Sequence, residues 1–200
     1  MISSKYYRYL NLPTEFINQS EITEKYSNTE GFDPSRNKQW RIDGGNPDIF
    51  NQDAYKWLRQ FNCEIGVCEI FYTAPNKGIN WHIDISGFSP VLDYVKINFV
   101  WGTEGEHFME WGESKLPLDE HEIGYNMVGS PHMIFKNDEI DKMESLTINK
   151  PALVRVGVPH KAINNTDKGR WCLCMIPKKI NGGRLLWPKS LDLFKDYVIQ

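Results

Sequence analysis

The sequence lacks the features that would place it at once in a membrane or nucleic-acid-binding class. None of the apolar runs in its 200 residues approaches the roughly 20 residues that a membrane-spanning helix needs. Basic residues are not in excess, and the formal net charge of −3 gives no strong signal for nucleic-acid binding. The opening MISSKYYRYLNLPTEF has no apolar segment of the kind found in signal peptides. We therefore expect a cytoplasmic protein without a membrane partner.

Cysteine is scarce, and its spacing does not favour a zinc site or a disulfide framework. The four cysteines occur in CEIGVC (Cys63 and Cys68) and CLC (Cys172 and Cys174). Neither pair has the two-residue separation that is usual for zinc ligands. In a cytoplasmic protein such residues are expected to be reduced thiols that pack inside strands.

Short runs of β-branched and aromatic residues dominate the chain from Cys63 onward. Hydrophobic residues make up 40% of the sequence and aromatic residues 13%, which is typical of a globular protein. The runs are separated by Gly, Pro, Asn and Asp and read CEIGVCEIFYTA, YVKINFVWG, EHFMEWGE, PALVRVGVPHKAIN and RWCLCMIP. Many short strands with few helices predict a mainly β fold, namely a double-stranded β-helix of the jelly-roll or cupin-like barrel type.

We expect residues 1–200 to form a single domain with three parts. Residues 1–62 would be an N-terminal extension with supporting helices, including one in NPDIFNQDAYKWLRQFN, whose apolar residues are spaced to cover one face. Residues 63–177 would form the β-helix core, and residues 178–200 a tail with a short C-terminal helix. Within the core, the polar residues 116–145 are expected to form a lid or an inserted hairpin.

The stretch INWHIDISG contains the first candidate site residues. In a strand, residues two apart point to the same side, so His82 and Asp84 would present a nitrogen and a carboxylate to one point. The pair alone is also compatible with an ordinary turn. A third ligand is offered by His160, which follows an apolar run in VRVGVPHKAIN. Two histidines and one carboxylate leave coordination positions open, as non-haem Fe(II) oxygenases require, whereas closed zinc sites use four protein ligands.

Arg170 follows His160 by ten residues, and its planar guanidinium suits a bidentate contact with a carboxylate. With this arginine, the pattern over residues 63–177 resembles the Fe(II)- and 2-oxoglutarate-dependent oxygenases. The resemblance implies that Fe(II) is bound by His82, Asp84 and His160, and that Arg170 pairs with the far carboxylate of 2-oxoglutarate. The expected reaction is hydroxylation of a substrate with release of succinate and CO₂.

Three further residues are assigned to the cosubstrate by comparison with the prolyl-hydroxylase-like branch of that family. Members of that branch often have a Tyr ten residues before the first metal histidine, and Tyr72 stands there in YTAPNKGINWH. They also carry a cosubstrate-binding Tyr sixteen residues after that histidine, where this sequence has Asn98. Lys96 shares a strand face with Asn98 and is a second candidate for this role. The Asn-, Ile- and Lys-rich composition would fit a phage-encoded member.

The primary substrate is open at the level of sequence. The position of Tyr72 favours a peptide or free amino acid, and a small-molecule or peptide partner is therefore expected. Two alternatives remain: a cupin-like metal protein or metalloenzyme that does not use 2-oxoglutarate, and a noncatalytic binding module. Additional histidines at cupin spacing are not found, and Arg170 favours the oxygenase. The oligomeric state is not predicted.

Overall fold

The computed structural model describes residues 4–42, 44, 46–86 and 92–199. Short 3₁₀ turns occur at 118–120, 137–139 and 195–197. The strands are β1 Tyr7–Leu10, β2 Lys38–Ile42, β3 Cys63–Thr73, β4 Lys77–Gly78, β5 His82–Asp84, β6 Val95–Trp101, β7 His107–Ser114, β8 Ile123–Tyr125, β9 Pro131–Ile134, β10 Ile140–Leu146, β11 Ala152–Arg155, β12 His160–Asn164, β13 Arg170–Lys179 and β14 Val198–Ile199, and the α-helices are α1 Gln19–Ser27, α2 Gln52–Arg59 and α3 Trp187–Leu193.

The strands form two antiparallel sheets that face each other. The major sheet has the order β14-β1-β11-β6-β13-β3-β2, and the minor sheet has the order β10-β7-β12-β5-β9-β8, with β4 paired to β12. From β3 to β13 the chain repeatedly crosses between the sheets, which is the connectivity of a jelly roll. The mainly β, jelly-roll prediction is confirmed. Among the described residues, the sheets do not close into a hydrogen-bonded barrel.

Strand alternation in the major sheet separates an apolar outer face from a polar inner face. On β6, Ile97 and Phe99 are buried in the cluster that packs against the helices, whereas Lys96 and Asn98 point between the sheets. On β13, Leu173 belongs to the outer cluster and its neighbours Cys172 and Cys174 face inward. The alternation predicted from the sequence therefore places the polar residues of β6 between the two sheets, where a binding site can form.

Helix α2 covers the outer face of this sheet. Its N-terminus is capped by Asn51, whose side chain accepts hydrogen bonds from the backbone amides of Asp53 and Ala54. Ala54, Trp57 and Leu58 share one buried face of the helix because they are three or four residues apart. This helix lies within the segment predicted as helical, although it is shorter.

The flanking segments contribute more to the sheets than the sequence predicted. Strand β1 lies between β14 and β11, and β2 pairs with β3, so both ends of the chain extend the major sheet. The run at 151–164, read as one strand, is divided into β11 in the major sheet and β12 in the minor sheet. The three-part single-domain division stays a prediction. No helix among the described residues is long and apolar enough to cross a membrane.

We expect Leu58→Ala to destabilise the protein by about 2–5 kcal/mol, because it leaves a cavity between helix and sheet. Leu58 is 0% exposed in the outer cluster. Leu118→Ala is the matched control, since Leu118 is 38% exposed and its truncation should change stability by less than about 0.5 kcal/mol. Urea unfolding measures both, and equal effects would contradict the assigned packing.

Candidate metal and cosubstrate site

Three side chains of the minor sheet converge between the two sheets. His82 and Asp84 are at the two ends of β5 and point to the same side of the strand. His160 begins β12 and is the direct cross-strand partner of His82, with ring centroids 4.3 Å apart. One ligand atom from each of the three residues lies within 4.8 Å of the other two. The sheet register thus brings together residues that are far apart in sequence.

Both histidines are held in the orientation that metal ligation requires. The Nδ1 atom of His82 is 2.8 Å from the Asn80 carbonyl, and that of His160 is 2.9 Å from the Val158 carbonyl. Nδ1 must carry the proton to donate to a carbonyl, so Nε2 keeps a free lone pair. Burial lowers the pKa of both rings, to about 3 for His160. Both are therefore neutral near pH 7, as metal ligands must be.

Asp84 is fixed by a buried ion pair with the major sheet. The Lys96 Nζ atom lies 2.6 Å from Asp84 Oδ2 and 3.0 Å from Glu69 Oε2. The other carboxylate oxygen, Oδ1, lies 3.9 Å from His82 Nε2. Burial by itself would raise the pKa of both acids, but the surrounding positive charges and hydrogen bonds, of which Lys96 is the largest contributor, together hold both below their ordinary values. The carboxylate is therefore charged, with Oδ1 directed toward the histidines.

These contacts change the role expected for Lys96. It was predicted to contact the cosubstrate, but its ammonium pairs with two carboxylates of the chain itself. The physical reason is that two buried carboxylates need a cation in a medium of low polarity. Glu69 was not predicted, because its importance comes from Lys96, which lies on β6, two strands away in the same sheet. Its inward position in CEIFYT was the only available signal.

Glu69 also connects the major sheet to the hairpin formed by β8 and β9. Its Oε1 accepts a hydrogen bond from Ser130 Oγ at 2.7 Å and one from Asn126 Nδ2 at 3.4 Å. Asn126 and Ser130 lie in the turn between the two strands. This hairpin lies within the polar segment that was predicted to be a lid or an insertion, and its turn is anchored beside the candidate site.

A small inner cavity of about 40 Å³ lies between the sheets next to the histidines. Arg170 and Asn98 line it together with Thr73, and Arg170 is only 2% exposed. Within the described ranges, neither Arg170 Nε nor Asn98 Oδ1 has a hydrogen-bond partner. Unpaired buried polar atoms are costly, so this cavity suits a polar ligand. The two residues predicted to contact the cosubstrate are thus brought close to the three candidate ligands.

Tyr72, also predicted to contact the cosubstrate, does not line this cavity but is among the residues that line a wider cleft beside His82. It pairs with Trp171 in the register of β3 and β13, so it occupies the outer face of the sheet, whereas Thr73 pairs with Arg170. Its hydroxyl donates to the Pro34 carbonyl at 3.0 Å, and its ring packs 4.9 Å from that of Trp171. The ten-residue separation from His82 could not reveal this, because a shift of one residue along a strand moves a side chain to the opposite face of the sheet.

A wider space, here called the hairpin cleft, adjoins the other side of the candidate ligands. It has a volume of about 270 Å³ and is lined by His82, Asp84 and His132 together with the hairpin residues Tyr125 and Met127. The last two are 61% and 68% exposed. The inner cavity shares His82 with this cleft. A ligand near His82 can therefore reach solvent beside the hairpin.

The donor set fits an open Fe(II) or Mn(II) site better than a closed zinc site. Among the described residues, no fourth His, Cys, Asp or Glu joins His82, Asp84 and His160. Two imidazoles and one carboxylate with open positions are typical of non-haem Fe(II) oxygenases, whereas structural zinc uses four protein ligands. The four cysteines, expected to be packing residues, are free and buried.

Three solved structures are distantly similar to this chain. No protein-family model matches the sequence, and no curated protein matches it significantly. A viral collagen prolyl hydroxylase from Paramecium bursaria Chlorella virus-1, solved as a 2OG complex, has a TM-score of 0.47 and 10% identity over 88% of this chain and 98% of its own. An oxalate oxidase in complex with the substrate analogue glycolate has a TM-score of 0.37 and 11% identity over 95% and 81%. The cysteine peptidase Peruvianin-I from Thevetia peruviana latex has a TM-score of 0.36 and 12% identity over 92% and 98%.

At these values the similarities carry no argument about function. Any functional assignment therefore depends on the residues of the site.

We expect Lys96→Met to destabilise the metal-free protein by about 3–5 kcal/mol, because it leaves Asp84 and Glu69 buried without a counter-ion. Lys178→Met is the matched control, since Lys178 and its partner Glu64 are 39% and 42% exposed. Loss of that exposed pair should cost less than about 1 kcal/mol. Urea unfolding at pH 7 compares the two variants. A Lys96→Met effect no larger than the control would show that the buried ion pair is not formed.

The stability of the metal-free protein should fall as the pH is lowered from 7 to 5. The pKa of His160 is about 3 in the folded protein because of burial, whereas a histidine in the unfolded chain has a pKa near 6.5. The unfolded state thus binds the extra proton in this window, which lowers the free energy of unfolding by about 2 kcal/mol at pH 5.

His160→Gln removes this titration, and its urea unfolding should depend less on pH by that amount. An unchanged pH dependence in the variant would contradict the assigned protonation state. Asp84 and Glu69 stay charged in the folded protein across this window, because their pKa values are held below the ordinary values.

Proposed function

We propose that this protein is an Fe(II)- and 2-oxoglutarate-dependent dioxygenase that hydroxylates a peptidyl or free amino acid. The observation that carries the proposal is the convergence of two neutral imidazoles and one charged carboxylate beside a cavity lined by a buried arginine whose Nε has no hydrogen-bond partner among the described residues. An open metal site alone would fit several metalloproteins. The buried guanidinium adds a reason for a second anionic ligand, which 2-oxoglutarate is.

His82 Nε2, Asp84 Oδ1 and His160 Nε2 are the atoms that would hold the metal. When bound, Fe(II) with 2-oxoglutarate and O₂ supplies the oxidation, in which the cosubstrate yields succinate and CO₂ as the substrate is hydroxylated. The contribution of the chain is orientation. The Asn80 and Val158 carbonyls fix the two imidazoles, and Lys96 fixes the carboxylate through the oxygen that faces away from His82.

Arg170 and Asn98 are the residues that would bind the far carboxylate of the cosubstrate. A carboxylate accepts charge-assisted hydrogen bonds from a guanidinium, and the Asn98 amide offers a further donor. The weak contact of Asn98 Nδ2 with the Met109 sulfur, at 3.8 Å, is easily exchanged for a stronger one. Because both residues lie on the inner face of the major sheet, the ligand would be enclosed and water excluded from it.

An anaerobic titration with Fe(II) and then 2-oxoglutarate tests this proposal. We expect the weak visible charge-transfer band of metal-chelated cosubstrate in the intact protein. His82→Ala should abolish the band because it removes a metal ligand. His132→Ala is the matched control, since the His132 ring is 5.6 Å from that of His82 but is not part of the ligand group. This variant should keep the band.

Arg170→Gln should retain metal binding and weaken the affinity for 2-oxoglutarate by at least about tenfold, equivalent to 1.4 kcal/mol. The exposed Arg59→Gln should leave both affinities unchanged. Absence of the band in the intact protein would overturn the oxygenase proposal in favour of a metal protein that does not use 2-oxoglutarate. A band with unchanged affinity in Arg170→Gln would overturn only the assignment of the anchor.

A further inference from the structure

A second arginine, Arg184, lies in the turn that follows β13 and, like Asp84, lines a space other than the inner cavity. The backbone places it firmly: Arg184 forms an antiparallel bridge with Lys178, and the Lys179 amide donates to the Gly183 carbonyl at 3.0 Å. Its guanidinium carbon lies 4.3 Å from the centroid of the Tyr94 ring. Stacking on an aromatic ring leaves the edge of the guanidinium free to donate hydrogen bonds.

The hydrogen-bonding atoms of Arg184 are unsatisfied. Its Nε and Nη2 are both buried, and neither has a hydrogen-bond partner in the part of the chain that the structure describes. The charge of Arg184 is close enough to Asp84 to help lower the pKa of that carboxyl, but among the described residues neither Asp84 nor Glu69 accepts a hydrogen bond from Nε or Nη2 of Arg184. A buried cationic donor without a partner is costly unless a ligand supplies the acceptor.

The arginine lines a cleft of about 500 Å³, here called the Arg184 cleft. Its walls include Asp84, Glu69 and Lys96, which places it directly beside the candidate metal ligands, and Arg41 adds positive charge. A cleft of this volume is in the range that encloses a small molecule or a short segment of peptide. An anion bound by Arg184 would therefore lie in a cleft that Asp84 also lines.

We propose that Arg184 binds the anionic group of the primary substrate, so that the substrate is a small organic anion with a carboxylate or a phosphate. A carboxylate at the end of an amino acid or peptide satisfies this condition, as does a phosphate monoester. Both groups present two oxygens that match Nε and Nη2 of one guanidinium. The identification of this ligand as a substrate rests on the proposed dioxygenase function, whereas the binding of an anion does not.

Binding to metal-free protein tests the anion site without any catalysis. The probes are a set of N-acetyl amino acids, the neutral amides of the same compounds, and small phosphate monoesters, each measured by calorimetric titration. At least one carboxylate or phosphate should bind tenfold or more tightly than its uncharged counterpart. The better of the two classes identifies the anionic group.

Variants assign this binding to Arg184. Arg184→Gln should reduce the affinity for the best probe at least tenfold, and Arg184→Lys should retain part of it because the charge remains without the planar fork. The exposed Arg59→Gln should retain the full affinity. Thermal unfolding of each variant identifies any loss of folding, and Arg184→Lys keeps the test available if Arg184→Gln does not fold.

Three results would overturn the proposal: equal binding of charged and neutral probes, unchanged binding in Arg184→Gln, or loss of 2-oxoglutarate binding in Arg184→Gln instead of Arg170→Gln. The last would make Arg184 the cosubstrate anchor. If Arg184-dependent binding is found but the Fe(II) and 2-oxoglutarate band is absent, the dioxygenase function fails while the anion site stands. If the band is present and the best probe also stimulates succinate release, the substrate class is supported.

Discussion

The ion pair of Lys96 with Asp84 and Glu69 connects the two sheets at the candidate site. Lys96 and Glu69 belong to the major sheet and Asp84 to the minor sheet, so one ammonium joins them at distances of 2.6 and 3.0 Å. Three buried charges are tolerated only if each has its partner in good geometry. The separation of the sheets, the direction of Asp84 Oδ1 and the anchoring of the hairpin through Glu69 all depend on this arrangement.

Around this ion pair, polar residues are arranged in layers along the inner face of the major sheet. Arg170 and Asn98 line the enclosed inner cavity, Lys96 and Glu69 lie beside Asp84, and Arg184, in the turn after β13, lines the adjoining cleft. Each group would have a different role. Arg170 and Asn98 would bind the far carboxylate of a cosubstrate, Lys96 and Glu69 would position the metal ligand Asp84, and Arg184 would bind the substrate. The outer face of the same strands is apolar and packs against the helices. One alternating pattern therefore provides both the stability and the site.

Local sequence patterns predicted what depends on strand periodicity. The convergence of His82, Asp84 and His160, and the inward direction of Arg170 and Asn98, follow from alternation and from the pairing of two strands. The position of Tyr72 on the outer face of β3 was not predicted, because a distance along the chain does not fix the face of a strand when a turn intervenes. Glu69 and Arg184 could not be predicted, since their roles come from neighbours in other strands. The pairing of β1, β2 and β14 into the major sheet also required non-local contacts.

Anomalous scattering from crystals grown or soaked anaerobically with Mn(II) tests the central claim most directly. The account predicts one strong peak within about 2.3 Å of His82 Nε2, Asp84 Oδ1 and His160 Nε2, at the bond lengths expected for divalent metals. Lys96 should remain paired with Asp84 Oδ2. A peak that does not contact Asp84, or the absence of any peak at these three residues, would contradict the account.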